Sequence, residues 1–197
     1  MPSPNTIRSD SGHAYYYVYA RGINKEPLFI DKQDFCYFLG LFARYISKRN
    51  VYSSAGVPYA TYWGELELLA YCLMNNHFHI FVYQVQQGAL TGFMRGVMTS
   101  YSRYFNFKYK RRGAVFESRF KAALIMDEAY LLHITRYIHL NPRYWRRYPY
   151  SSLQYYLATA VKPEWLHVKR VQHLFGGNKN ILLSILITKV KRRYYKH

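Results

Sequence analysis

Residues Glu65 to Leu73 and His77 to Val85 are two apolar, strand-length runs separated only by Met74-Asn75-Asn76. So short a connection joins antiparallel strands, because parallel neighbours need a crossover of a dozen or more residues. The chain must therefore build a sheet around this tight hairpin. Within the second run, His77-Phe78-His79 puts two imidazoles either side of one phenylalanine. Side chains alternate along a strand, so the two rings share a face with Cα atoms roughly 6–7 Å apart. Phe78, Ile80 and Val82 point the other way, into a core.

The flanking segments extend this frame. HAYYYVYARG (13–22) reads as a strand rich in Tyr and Val, closed by Gly22. From Asp31, a plausible N-cap, Phe35, Phe38, Leu39, Phe42 and Ile46 recur at helical spacing, which predicts a helix over 31–49. Residues 50–62, with Gly56 and Pro58, form a loop. A second helix is expected over about 89–107, with Phe93, Met94, Val97, Met98, Tyr101 and Phe105 as its apolar face. VFESRFKAALIM (115–126) reads as a further strand. EAYLLHITRYIHLN after Asp127 reads as a helix that stops near Asn141, since Pro142 disfavours a helical residue before it. Two short helical stretches, a hinge at Gly176-Gly177 and a last helix ending in KVKRRYYKH follow. The order β-α-β-β-α-β-α predicts an α+β fold: a ferredoxin-like antiparallel sheet with helices packed on it over residues 13–142. A basic aromatic loop and helical C-terminal extension occupy 143–197.

Charge then narrows the partner. With 28 Lys+Arg against 10 Asp+Glu, the formal net charge is +18. Such a surface repels itself unless it meets a polyanion, of which nucleic acid is the commonest and a membrane surface the second. The 23 tyrosines often lie beside cations, as in Arg143-Tyr144-Trp145-Arg146-Arg147-Tyr148. Aromatic faces interleaved with positive charge suit single-stranded nucleic acid, although most individual tyrosines have packing to do. The two cysteines, Cys36 and Cys72, make no Cys-x-x-Cys pair, which argues against a zinc ribbon and fits a reducing cytoplasm. MPSPNTIRSD lacks the apolar core of a signal peptide. The longest aliphatic run, Ile181 to Ile187, is too short to span a bilayer. A cytoplasmic protein with no membrane association is expected.

The histidine pair alone is either half of a metal site or a polar patch on the wet face of a strand. The helix before Pro142 offers a third ligand, because residues i and i+4 share a face. Tyr137 and Asn141 thus form a stripe that Tyr130 and His133 extend. Two imidazoles and one amide oxygen leave a divalent ion strongly electrophilic toward phosphate oxygens. The competing reading makes Tyr137 a packed aromatic and Asn141 a helix cap.

HFH before an apolar strand, ARG ending at Gly22, FESRFKAALI and YLLHITRYIHLNP together resemble the HUH-type single-tyrosine transposases (IS200-like transposases). The resemblance runs over about residues 13–142 and continues less sharply to Trp165. It is strongest to the branch associated with repeated extragenic palindromes (REP elements), which uses Tyr-x-x-x-Asn, as in Tyr137-Ile-His-Leu-Asn141, where the insertion-sequence branch uses Tyr-x-x-x-Gln. The family commonly has Met-Pro-Asn before the first histidine. Here Asn75 stands in place of the proline, which alters a turn and no ligand. The loop over 50–62 is longer than the family leads one to expect.

The resemblance implies the HUH endonuclease fold and metal-dependent cleavage and strand transfer on single-stranded DNA with hairpin or palindromic elements, as in DNA transposition, recombination or REP-element processing. It implies Tyr137 as nucleophile forming a 5′-phosphotyrosine intermediate, His77, His79 and Asn141 as ligands of Mg²⁺ or Mn²⁺, and action as a monomer or homodimer. Arg103, Lys108, Lys110, Arg111 and Arg112 form a basic helix end suited to phosphates. Arg119 and Lys121 are expected on one face of their strand, holding DNA near the ion. The terminal KVKRR is a further candidate clamp. His139 faces away from the Tyr137 stripe and is expected to support it or touch DNA. Two other readings share the scaffold: a non-catalytic nucleic-acid-binding protein, and a replication-initiator-type nickase, many of which carry two tyrosines. A water-using metallohydrolase lacks its carboxylates here, because Asp127 and Glu128 lie at the far end of the helix from Asn141.

Overall fold

The computed structural model describes residues 10–174. The Gly176-Gly177 hinge, the last helix, the KVKRR clamp and residues 1–9 of the N-terminal arm lie outside the described residues. Four strands, β1 (Ala14–Arg21), β2 (Leu66–Met74), β3 (His77–Gln84) and β4 (Lys121–Ile125), form one sheet in the order β2-β3-β1-β4. All neighbours are antiparallel. With helices α1 (Lys32–Tyr45) and α2 (Ala89–Lys108) in the two crossovers, this is the ferredoxin-like α+β arrangement.

Alternation on the strands divides the core. Val18 and Ala20 of β1 and Phe78, Ile80 and Val82 of β3 face α1 and α2, and all are buried. Phe38 of α1 packs against Phe78 (ring centroids 5.1 Å) and Phe42 against Phe93 of α2 (5.8 Å). Burying each such ring contributes about 1.5–3 kcal/mol. α1 starts at a capping box in which Asp31 and Asp34 hold each other's backbone amides. Gly96 lets α2 approach α1: a Cβ there would lie 2.9 Å from the Tyr45 ring.

The opposite face of the sheet carries α3 (Glu128–Leu140), which lies against β2, β3 and β4. Beyond Pro142 the chain returns to the outer edge of β2. Leu73 N–H donates to the Tyr150 carbonyl, Ser152 N–H to that of Tyr71, and His167 N–H to that of Leu68. The Tyr148 and Tyr156 hydroxyls cap the Leu73 and Leu69 carbonyls at 2.6 and 2.7 Å. The edge strand is thereby covered, and the short helices α4 (Leu153–Tyr156) and α5 (Val168–Leu174) add Tyr156 and Val171 to the same hydrophobic core. Among the described residues no helix is long and apolar enough to cross a membrane.

One element departs from the expectation. The strand expected over 115–126 begins only at Lys121. Phe116 is buried and bridges Gly22, and Glu117 N–H donates to the Arg21 carbonyl, which ties the segment to the end of β1 before it bends through 118–120.

Candidate active site

The hairpin turn that joins β2 to β3 is held from outside. The Asn75 carbonyl accepts from Leu28 and Phe29 N–H, and the Asn76 carbonyl from Gly22 N–H. Asn76 then places its carboxamide oxygen 2.7 Å from His77 Nδ1. A carboxamide oxygen only accepts, so His77 carries its proton on Nδ1 and its lone pair on Nε2. His79, buried, has Nδ1 2.7 Å from the Tyr17 hydroxyl. The two imidazole rings stand 4.8 Å apart at 78°. Each has its Nδ1 engaged by a neighbouring side chain, which is how metal-binding histidines are oriented.

α3 brings the phenol. The Tyr137 ring lies 5.2 Å from the His79 ring and 6.1 Å from that of Tyr17, edge-on to both. The Tyr17 hydroxyl is within hydrogen-bonding reach of Tyr137 as well as His79. Burial, then the neighbouring Tyr137, raise the Tyr17 pKa far above that of an ordinary phenol, so Tyr17 stays protonated. Tyr19 stacks on Tyr17 (5.4 Å), and the Lys121 ammonium sits 5.8 Å over the Tyr19 ring. Arg21 is the register partner of His77 and is exposed. A histidine pair, a phenol and two cations thus share one sheet face within a single chain.

Asn141 is half-buried and follows directly on the last residue of α3, beside the buried Pro142. The proline ends the helix there. The phenol has reached the histidines, and the amide stands one turn further along. Among the described residues His, Cys, Asp and Glu nowhere gather in threes. A cation here would rest on two imidazoles and neutral oxygens, a donor set that suits an electrophilic divalent ion facing phosphate.

The expected DNA contacts separate into distinct roles. Lys108 lies 2.7 Å from carboxylate oxygens of both Asp31 and Asp34, with Tyr104 and Tyr109 around it, and so fastens the end of α2 to the start of α1. Arg111 pairs with Glu26 at 2.9 Å. Neither is a bare cation waiting for phosphate. Lys110, Arg112 and Arg103 are exposed. Arg119 and Lys121 do not share a strand face, because Arg119 falls in the bend before β4 while Lys121 starts the strand on the histidine side. His133 is exposed. His139 is fully buried, with Nε2 2.7 Å from Ser152 Oγ, and burial lowers its pKa to about 3. It is a neutral brace between α3 and the β2 edge.

Sequence reasoning missed Tyr17 and Asn76. Asn76 was legible as the neighbour of His77. Tyr17 becomes visible only once β1 is known to pair with β3 in the register that sets Tyr19 opposite His79.

Residues 59–141 match the family model described as Transposase IS200 like. Over this segment, less than half of the chain, the sequence is similar to the IS200-like transposases. The matched residues contain His77, His79, Tyr137 and Asn141, whereas Tyr17 and Arg21 lie outside them. Eight chains of solved structure match. Among them is a REP-associated tyrosine transposase bound to a REP hairpin, at 14% identity and a TM-score of 0.56, covering 81% of this chain and 88% of that one. At that identity the likeness concerns the fold. No curated protein matches the chain.

Proposed function

We propose that the chain cleaves and rejoins single-stranded DNA through a covalent bond to Tyr137. The observation that carries this reading is the Tyr137 ring 5.2 Å from His79, whose ring is in turn 4.8 Å from His77. Tyr137 Oη attacks the scissile phosphorus, the bond from phosphorus to the 3′-oxygen breaks, and a 5′-phosphotyrosine forms. The phenolic proton leaves Tyr137, and one proton ends on the freed 3′-hydroxyl. Attack by a 3′-hydroxyl on the phosphotyrosine reverses the step and rejoins DNA without a nucleotide cofactor. The REP-associated branch, and with it a hairpin-bearing substrate, is supported by the Tyr137–Asn141 spacing and by the fold shared with a protein seen on a REP hairpin.

His77 and His79, through Nε2, and Asn141, through its carboxamide oxygen, would hold Mg²⁺ or Mn²⁺. When bound, the ion supplies polarisation of the scissile phosphate. The protein's own part is orientation. With Nε2 directed to a cation, His79 keeps its proton on Nδ1 and donates it to Tyr17 Oη. The Tyr17 proton is then directed at Tyr137 Oη, where it stabilises negative charge as the phenol is deprotonated. Arg21 and Lys121 stand where the phosphate backbone would cross the site. Cys36 and Cys72 are both free thiols, in keeping with a reducing cytoplasm.

Incubating the protein with labelled hairpin-bearing single strands and Mg²⁺ or Mn²⁺ should yield a protein–DNA adduct on a denaturing gel. EDTA should suppress it, and absence of adduct with every strand would refute the reading. Tyr17→Phe should slow adduct formation about 10- to 100-fold while leaving strand affinity within twofold, since only the hydroxyl bridging His79 and Tyr137 is lost. An unchanged rate would remove Tyr17 from the mechanism.

A further inference from the structure

On the face of the sheet opposite the histidines, α2 and the bent segment 115–120 enclose a groove of about 660 Å³. Its rim carries Arg95 and Arg103, two turns apart on α2, and Arg119 on the facing wall. All three are exposed, and none forms a salt bridge among the described residues. The acid in the groove, Asp10, is already engaged: its Oδ1 accepts from Gln84 Nε2 at 2.9 Å and from Gly88 N–H at 3.1 Å. Between the arginines the floor is apolar, formed by Met98, Phe116, Phe120 and Ala122.

We infer that this groove binds a single-stranded segment of DNA flanking the cleavage point, with its phosphates on the three arginines and its bases on the apolar floor. A duplex offers phosphates but keeps its base faces stacked, and would leave that floor uncovered. A single strand presents both charge and aromatic faces, which is the combination the groove answers. The route from the catalytic face is short. Phe120 and Ala122 line the groove, while Lys121 between them points to the histidine side over Tyr19. A strand crossing the β4 edge at Lys121 passes from one site to the other. The inference rests on the proposed cleavage reading and names where the rest of that substrate lies.

The test compares equilibrium binding of a short strand spanning only the cleavage point with the same strand extended on both sides. Extension should tighten binding to the wild-type protein at least about tenfold, the contribution of one stacked base. The Arg95→Ala/Arg103→Ala/Arg119→Ala variant should lose that gain. Its slope of log affinity against log salt on the extended strand should fall by about 2, at roughly 0.7 per phosphate contact on a single strand. Near-wild-type circular dichroism and melting of the variant are expected, since all three side chains are exposed. An unchanged slope and an undiminished extension gain would overturn the inference. So would an equal gain when the flanks are annealed to complementary strands. Failure of the wild-type protein to form an adduct with either strand would count against Tyr137 chemistry instead, and leaves the binding comparison readable.

Discussion

Tyr137→Phe should abolish the covalent protein–DNA adduct, a loss of at least about 1,000-fold, while single-stranded DNA binding stays within a few-fold of wild type. The substitution removes one oxygen and keeps the ring that packs 5.2 Å from His79 and 6.1 Å from Tyr17. Loss of a single partly buried hydroxyl costs about 1 kcal/mol of stability, too little to unfold a domain of this size. Tyr17, a phenol within hydrogen-bonding reach of Tyr137, is poorly placed to substitute. It is buried, hydrogen-bonded to His79, and raised in pKa by desolvation. A variant that formed adduct at the wild-type rate would show that the nucleophile is elsewhere among the 23 tyrosines.

Removing an imidazole should be nearly as severe, by a different route. His77→Ala is the cleaner substitution, because His77 is only half-buried and its Nδ1 partner, Asn76, retains a second bond to the Lys25 carbonyl. His79 is 4% exposed, so shortening it would leave a void and take one of its two partners from the Tyr17 hydroxyl, costing about 1–3 kcal/mol as well as activity. His77→Ala should therefore weaken Mn²⁺ binding by at least about tenfold in a calorimetric titration and lower adduct formation by about 100-fold or more, with the melting temperature little changed. Wild-type Mn²⁺ affinity together with wild-type cleavage would remove His77 from the ion site.

How far the sequence foretold this arrangement follows from the range of the forces involved. The hairpin at Met74-Asn75-Asn76, the Asp31 cap and the stop before Pro142 are local, and each lies within a few residues of where periodicity and turn chemistry put it. The phenylalanine clamp between α1 and α2 was visible as a helical stripe. The residues that went astray are those whose neighbours are distant in sequence. Lys108 looked like one of a row of phosphate-seeking cations, but Asp31 and Asp34 reach it from 77 and 74 residues away. Arg119 continues the alternation of β4 in the sequence alone, but Glu117 is tied to the end of β1 and the chain bends before the strand begins at Lys121. Tyr17 looked like one more aromatic in a tyrosine-rich strand, and acquires a role only through the β1–β3 register. His139, by contrast, was separable from the active stripe by helical spacing alone, and it is indeed a buried brace.

The central claim, that one phenol from α3 works over two imidazoles from β3, is tested most directly by locating the covalent attachment. After reaction of the wild-type protein with a single strand in Mn²⁺, nuclease trimming and proteolysis, mass spectrometry should find the residual nucleotide on the peptide containing Tyr137. A nucleotide mapped to a tyrosine away from His77 and His79, with none on Tyr137, would contradict the account.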